Sequence, residues 1–304
     1  MRFFKKTNID FMGIRGKMYF LSTAIIVCGM ISLFVKGVNY GIDFRGGTEL
    51  VLTFNSTPDY SQLRASLAKA GLPDCEIKSF GNEQTVLIRT TKQGEGMAIA
   101  NQIKAAIQKD LSGLSFQSGL ETKIGPKIGK ELRRDAVNAV LATLVVILAY
   151  IAIRYKFIYG VGAVLSLYHD VLLTVGIISL LDGVIPSLNL EITQEMIAAF
   201  LTLVGLSVND TVVVFDRIRE NSRIYRSMSL NDVMNKSIND TLSRTIITSG
   251  TIFGALVVLL LMGGEVTRGF AFTLTIGIIT GTYSSIYIAS AIVLDNTLRK
   301  KKLE

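Results

Sequence analysis

The sequence predicts a polytopic α-helical membrane protein: six transmembrane helices and one small α+β, ferredoxin-like domain outside the cytoplasm. Three observations predict it. Of 304 residues, 49% are hydrophobic and only 18% charged, with a mean hydropathy of +0.44, which is too apolar for an ordinary soluble enzyme. The apolar residues gather into six runs, about 18–35, 136–153, 157–181, 196–215, 245–263 and 269–294, each near the roughly 20 residues that cross a bilayer's hydrocarbon core. A polar stretch of roughly a hundred residues separates the first run from the second, enough for one small domain.

In chain order, residues 1–17 form a cytoplasmic N-terminus and 18–35 the first membrane helix. That run is too long, and too weakly followed by a small-residue cleavage site, to be a removed signal peptide. Residues 36–130 form the outer domain. Thr48–Phe54 (TELVLTF) is rich in strand formers, and Asp59–Ala70 has a helical pattern closed by Gly71. Glu76–Phe80 and Thr85–Arg89 flank Gly81-Asn82 as a hairpin would. Glu95–Leu111 places Ile99, Ile103, Ala106 and Ile107 at helical spacing, and Phe116–Ile124 reads as a last strand. The order βαββαβ is that of a ferredoxin-like domain. Residues 131–294 hold helices two to six with a cytoplasmic link at 216–244, and 295–304 form a basic cytoplasmic tail. Within the link, Ser229 precedes Leu230, Val233, Met234, Ile238 and Leu242. An N-cap and a narrow apolar stripe predict an amphipathic helix along the inner membrane surface.

Charge sets the orientation. Arg2, Lys5, Lys6, Arg15 and Lys17 precede the first run, and Arg299, Lys300, Lys301 and Lys302 follow the last. Arg154 and Lys156 follow the second run, and Arg217, Arg219, Arg223, Arg226, Lys236 and Arg244 the fourth. The link after the third run carries Asp182, Glu191 and Glu195 and no basic residue. Basic loops alternate with acidic ones, so the positive-inside rule puts both termini in the cytoplasm and the domain outside. Lys127, Lys130, Arg133 and Arg134 lie on the outer side, in a long translocated segment where the rule is weak. The net charge of +8 therefore points to anionic lipid, not to nucleic acid. Cys28 falls in the first run and Cys75 in the domain, too far apart to pair, and no disulfide framework or metal cluster is expected.

No P-loop, nucleophile elbow, HExxH or CxxC occurs, and a single histidine excludes a multi-histidine metal site. The reading is not an enzyme. What stands out is the ionisable set inside the apolar runs, since each such group costs several kcal/mol unless paired or solvated. It comprises His169 and Asp170 in the third run and Asp210 in the fourth. From the helical rise, Asp210 lies roughly 8 Å from the inner end, and His169 and Asp170 roughly 18–20 Å in. Arg244, just before the fifth run, has the reach to snorkel toward Asp210. The roughly 10 Å between the two depths suits a proton relay through water better than direct transfer. The alternatives stay open: Asp210 and the His169-Asp170 pair as helix–helix polar glue, and Arg244 as a positive-inside anchor. Gly277, Gly281, Thr282, Ser284, Ser285, Ala289 and Ala291 in the sixth run read as close helix packing.

Three stretches carry a resemblance: Gly41–Thr48 (GIDFRGGT), Val204–Asn221 (VGLSVNDTVVVFDRIREN) and Arg244–Gly250 (RTIITSG). On these the chain resembles the SecF family, the smaller of the paired SecD and SecF subunits of the bacterial translocase, over nearly its whole length. The resemblance implies an RND-like half in the bacterial inner membrane that uses the proton motive force to help move preproteins. It implies a SecD-like subunit as the other six-helix half, a SecY-type channel complex, unfolded preprotein and the bilayer as partners, with protons as coupling ion and no cofactor. It also implies that Asp210 carries protons with Arg244 as its partner, and Asp170 and His169 extend that proton-transfer set inward. Gly46 and Gly47 let the chain turn sharply from the first helix into the first strand, while a minority reading gives Asp43 and Arg45 contacts to the partner subunit. Two other classes compete: a proton-coupled exporter of lipids or small molecules, and a passive scaffold for membrane assembly.

Overall fold

The computed structural model describes residues 7–155, 157–184, 188 and 190–303, the side chains of Glu265, Val266 and 300–303 excepted. Arg2, Lys5, Lys6 and Lys156, and the side chains of Lys300, Lys301 and Lys302, lie outside this description. The chain divides into two compact units. One comprises Met1–Val38, Ala139–Leu190 and Glu195–Glu304, the other Asn39–Asn138 and Glu191–Gln194.

The second unit is built on four strands, β1 (Gly47–Phe54), β2 (Glu76–Phe80), β3 (Asn82–Thr90) and β4 (Phe116–Ile124), in the sheet order β2-β3-β1-β4 with every pair antiparallel. That is the ferredoxin-like arrangement of a split βαβ unit. Helices Tyr60–Lys69 and Ala98–Asp110 cover one face, and their Leu63, Leu67, Ile99, Ile103 and Ile107 bury against Leu50, Leu52, Val86 and Ile88 of the sheet. Asp59 caps the first of these helices by accepting the Ser61 N–H at 2.7 Å. The β2–β3 turn is tighter than the expected Gly81-Asn82 pair. Gly81 alone turns, at φ +82, and Asn82 is already paired with Phe80. The Asn82 side chain accepts the N–H groups of Gln84 and Thr85, so β3 begins three residues before the expected Thr85. A short helical turn, Ile42–Arg45, precedes β1. At Gly46 (φ +74) and Gly47 (φ +144) the chain adopts backbone that favours glycine. A Cβ on Gly47 would meet the Thr90 carbonyl oxygen at 2.4 Å.

Among the described residues, six helices are long and apolar enough to cross a membrane. They are named H1 (Arg15–Lys36), H2 (Pro126–Arg154), H3 (Phe157–Leu181), H4 (Gln194–Ile224), H5 (Leu230–Met262) and H6, which runs as Glu265–Ser284, a π-helical turn Ser285–Ala289, and Ser290–Leu303. Their apolar windows sort them. H3, H4 and H6 are 50%, 44% and 67% buried, whereas H1, H2 and H5 are 11%, 6% and 17% buried and present apolar side chains outward. All three intramembrane ionisable residues of the sequence reading thus stand on the inner helices. Glycines set the crossings: Gly29 of H1 against Gly176 of H3, and Gly277 and Gly281 of H6 against Leu203 and Ser207 of H4.

The expected surface helix in the link 216–244 is not a separate element. H4 continues to Ile224 and H5 begins at Leu230, leaving only residues 225–229 between them. No glycine or proline occurs between Gly205 and Gly250, so no breaker stops either helix at the expected membrane boundary. Ser229 does cap H5, accepting the Asp232 N–H at 3.2 Å, and the stripe of Met234 and Ile238 packs with Phe11, Met12, Phe215 and Ile218.

Candidate functional site

The inner helices bring two carboxylates into one hydroxyl-rich region. Asp210 of H4 is 6% exposed, and its Oδ2 accepts the Ser249 Oγ–H of H5 at 3.0 Å. Ser249 Oγ in turn accepts from Thr282 Oγ1 of H6 at 2.8 Å. Asp170 of H3 is 1% exposed, and its Oδ2 accepts from Ser207 Oγ of H4 at 2.7 Å and from Ser284 Oγ of H6 at 2.8 Å. Its Oδ1 faces His169 Nδ1 at 3.1 Å. Helical spacing explains the convergence. Ser207 and Asp210 are three residues apart and share one face of H4. Thr282 and Ser284 are two apart, so they point to different sides of H6, one toward H5 and the other toward H3.

Around this core, the His169 ring lies over Tyr283, with centroids 6.1 Å apart, and the Tyr283 hydroxyl donates to the Met18 carbonyl of H1 at 2.6 Å. His169 Nε2 is buried without a hydrogen-bond partner among the described residues. Arg244 does not pair with Asp210 as expected. Arg244 is an exposed residue, and it is Ser249 that donates the hydrogen bond. A helix continuing straight past residue 244 holds Arg244 on the outer side of H5, and the shorter Ser249, about one and a half turns on, faces inward.

Each carboxylate thus has its own hydroxyl donors, Ser249 for Asp210 and Ser207 with Ser284 for Asp170. Ser207 and Asp210 lie three residues apart along H4, and Thr282 and Ser284 two apart along H6. Hydroxyls suit such a place because each both donates and accepts, and can re-aim as a carboxylate gains or loses a proton. The sequence reading missed Ser207 and Ser249, and it took Thr282 and Ser284 for packing residues only.

The Gly41–Thr48 stretch makes local contacts. Asp43 Oδ2 accepts the Gln194 N–H at 2.9 Å, capping the first turn of H4, and Arg45 donates to Asn39 Oδ1 at 2.9 Å. Gly46 is held against Pro126 and the Ile124 carbonyl. Beside this turn sits a charged cluster that the sequence did not announce. Arg89 binds Glu49 at 2.6 Å and contacts Glu191, while Lys78 reaches Glu76 at 2.6 Å and Glu191 at 3.0 Å. Burial alone would push the pKa of Lys78 down, but its hydrogen bonds and the charges of Glu76 and Glu191 outweigh that and raise it. Arg89 is likewise raised: burial opposes its charge, and Glu191, Glu49 and Glu76 more than compensate.

Comparison with known proteins places the chain among relatives. Residues 103–299 match the family described as protein export membrane protein SecD/SecF, C-terminal, and residues 31–58 match the SecD/SecF GG motif. The chain is 42% identical over 295 residues to the protein translocase subunit SecF of Rhodothermus marinus, covering 97% of this chain and 95% of that protein. It is 43% identical over 294 residues to the subunit of the same name from Thermodesulfovibrio yellowstonii, covering 95% of each. The crystal structure of SecDF, a translocon-associated membrane protein from Thermus thermophilus, superposes with a TM-score of 0.83 at 36% identity. That match covers 96% of this chain but 39% of the SecDF chain, so this chain spans about two fifths of that protein's length.

Proposed function

This chain belongs to the SecD/SecF family of protein-export membrane proteins, is a subunit of the Sec export machinery of the inner membrane, and we propose that it draws on the proton gradient to assist preprotein translocation. The observation that carries this reading is the pair of buried carboxylates, Asp210 and Asp170, each supplied with hydroxyl donors from neighbouring helices. A carboxylate deep in a bilayer is costly when ionised. Proton binding removes that cost, and the surrounding hydroxyls re-aim to suit the neutral acid, which gives the inner helices two arrangements that protonation selects between. Arg244 is the cationic partner this reading assigns to Asp210, and His169 supplies an imidazole beside Asp170. No covalent chemistry is required of any of them. One proton crossing a potential of 100 mV releases about 2.3 kcal/mol, a modest bias that acts through repetition.

The sheet domain faces the periplasm and both termini the cytoplasm in this reading, following the alternation of basic and acidic loops. A SecD-like chain supplies the other six-helix half, which fits the two-fifths share of SecDF that this chain covers and the outward apolar faces of H1, H2 and H5. A SecY-type channel complex and unfolded preprotein complete the assembly. The test is export into inverted vesicles with and without a proton gradient. Asp210→Asn is nearly isosteric and still accepts from Ser249, but it cannot carry a proton. It is expected to assemble with its partner and to support ATP-driven export while losing the gradient-dependent part. Full gradient stimulation in that variant would overturn the reading.

A further inference from the structure

We infer that residues Glu191–Gln194 form a coupling strap, with Glu191 as the positioning residue that transmits the change at Asp210 to the sheet domain; this rests on the proposed role of Asp210. The strap belongs to the compact unit of the sheet although it follows H3 in sequence. Five contacts hold it. The Glu191 carboxylate, 3% exposed, is bound by Lys78 at 3.0 Å and by Arg89. The Gly41 N–H donates to the Ile192 carbonyl at 2.9 Å, and the Ile192 N–H to the Asn39 carbonyl at 2.8 Å. Asp43 accepts the Gln194 N–H.

Two features separate a strap from a mere loop contact. On the strands themselves, Lys78 and Arg89 face Glu49 and Glu76, so the sheet's own cluster balances two cations against two carboxylates without Glu191. The domain does not need this residue for charge neutrality, yet both cations also bind it. Second, the strap is not followed by a hinge. Gln194 is the first residue of H4, and H4 runs as one α-helix past Asp210. From Gln194 to Asp210 the helix rises about 24 Å. H4 therefore offers a shift or rotation that accompanies protonation a continuous helical path to Gln194, and the salt-linked carboxylate and the two backbone hydrogen bonds tie the strap to the segment Asn39–Asp43 and to β2 and β3.

The experiment uses the full chain with its SecD-like partner in inverted vesicles and reads three quantities: ATP-driven export, its stimulation by a proton gradient, and proton flow through the complex. Glu191→Gln keeps the size and hydrogen-bonding capacity but drops the charge. The expected result is unchanged ATP-driven export, retained proton flow and lost gradient stimulation, that is, uncoupling. Asp210→Asn, by contrast, is expected to lose proton flow and stimulation together, so retained proton flow in Asp210→Asn would sink the proton-carrier reading without bearing on the strap. Lys78→Met removes one of the two cations and leaves Arg89 in place. It should give a partial loss of stimulation with proton flow intact, and it decides the matter if Glu191→Gln fails to accumulate. Stimulation at the parental level in either assembled variant, or loss of proton flow in parallel with stimulation, overturns the strap.

Discussion

Replacing Gly47 by alanine tests whether the paired glycines before β1 are demanded by close backbone approach or only by backbone conformation. The added Cβ would sit 2.4 Å from the Thr90 carbonyl oxygen and 3.3 Å from the Thr91 Cα, and both belong to backbone that β1 pairs with through Thr48 and Thr90. Holding a non-glycine residue at φ +144 costs about 1–3 kcal/mol, and forcing the strands apart adds about 1–3 kcal/mol. Gly81→Ala is the control. Its φ is +82 and its Cβ would meet nothing within 4 Å, so it carries only the conformational cost of about 1–2 kcal/mol. For a domain whose total stability is about 5–15 kcal/mol, the difference between the two variants is measurable. With a urea slope of about 1–2 kcal/mol per molar, Gly47→Ala should lower the midpoint of the sheet domain by about 1 M more than Gly81→Ala. Pulse proteolysis of the detergent-solubilised full chain across a urea series reads that midpoint. Equal midpoints for the two variants would refute the close-approach argument.

Two further outcomes follow from the geometry. Ser207→Ala and Ser284→Ala each remove one donor from Asp170 Oδ2 and should each cost about 1–3 kcal/mol; thermal unfolding of the two single variants and the double should be non-additive, because both hydroxyls serve one oxygen. Burial raises the pKa of Cys75, only partly offset by its hydrogen bond with Thr90, so its thiolate fraction at neutral pH falls below that of a free thiol. Labelling of Cys75 by a membrane-impermeant maleimide in spheroplasts should therefore be slow at pH 7 and keep rising with pH beyond the point where an exposed introduced cysteine levels off, and labelling confined to inverted vesicles would overturn the proposed orientation.

The parts that were legible in the sequence are those governed by local pattern. The bounds of β2 and β4 come out as Glu76–Phe80 and Phe116–Ile124, because strand formers there are cleanly flanked by turn residues. The third apolar run matches H3 residue for residue, since Arg154–Lys156 and Asp182 mark its two ends. The ionisable residues inside the runs were visible because composition alone makes them conspicuous. Their hydroxyl partners were not. A serine or threonine in a helix can satisfy itself by donating to the carbonyl one turn back, as Thr202, Thr273 and Thr275 do. Nothing local distinguishes these from Ser207, which turns to a carboxylate on another helix, or from Ser284, which reaches that carboxylate as well as the Gly281 carbonyl. Arg244 misled for the converse reason: reach permits a contact but does not select it. Glu191 and Arg89 are 102 residues apart in the chain, and a lone acidic residue in an acidic loop carries no sign of the cation that will meet it.

The π-helical turn Ser285–Ala289 in H6 sets the azimuth of everything that follows it. A widened turn holds one residue more than an α-turn, so the C-terminal part of H6 is rotated by about 100° from where an uninterrupted α-helix would have aimed it. With that rotation Asp295 meets Arg15 at 3.0 Å, Val293 lies against Gly162, and the Ser290 hydroxyl bonds the Ser285 carbonyl across the wide turn at 2.8 Å. Upstream of it, Thr282 and Ser284 keep the phase that serves the two carboxylates. H6 is thus one rod in two phases, and the extra residue lets its halves satisfy different neighbours. Deleting a single residue from 285–289 would leave the hydroxyl half in place and swing Asp295 off Arg15.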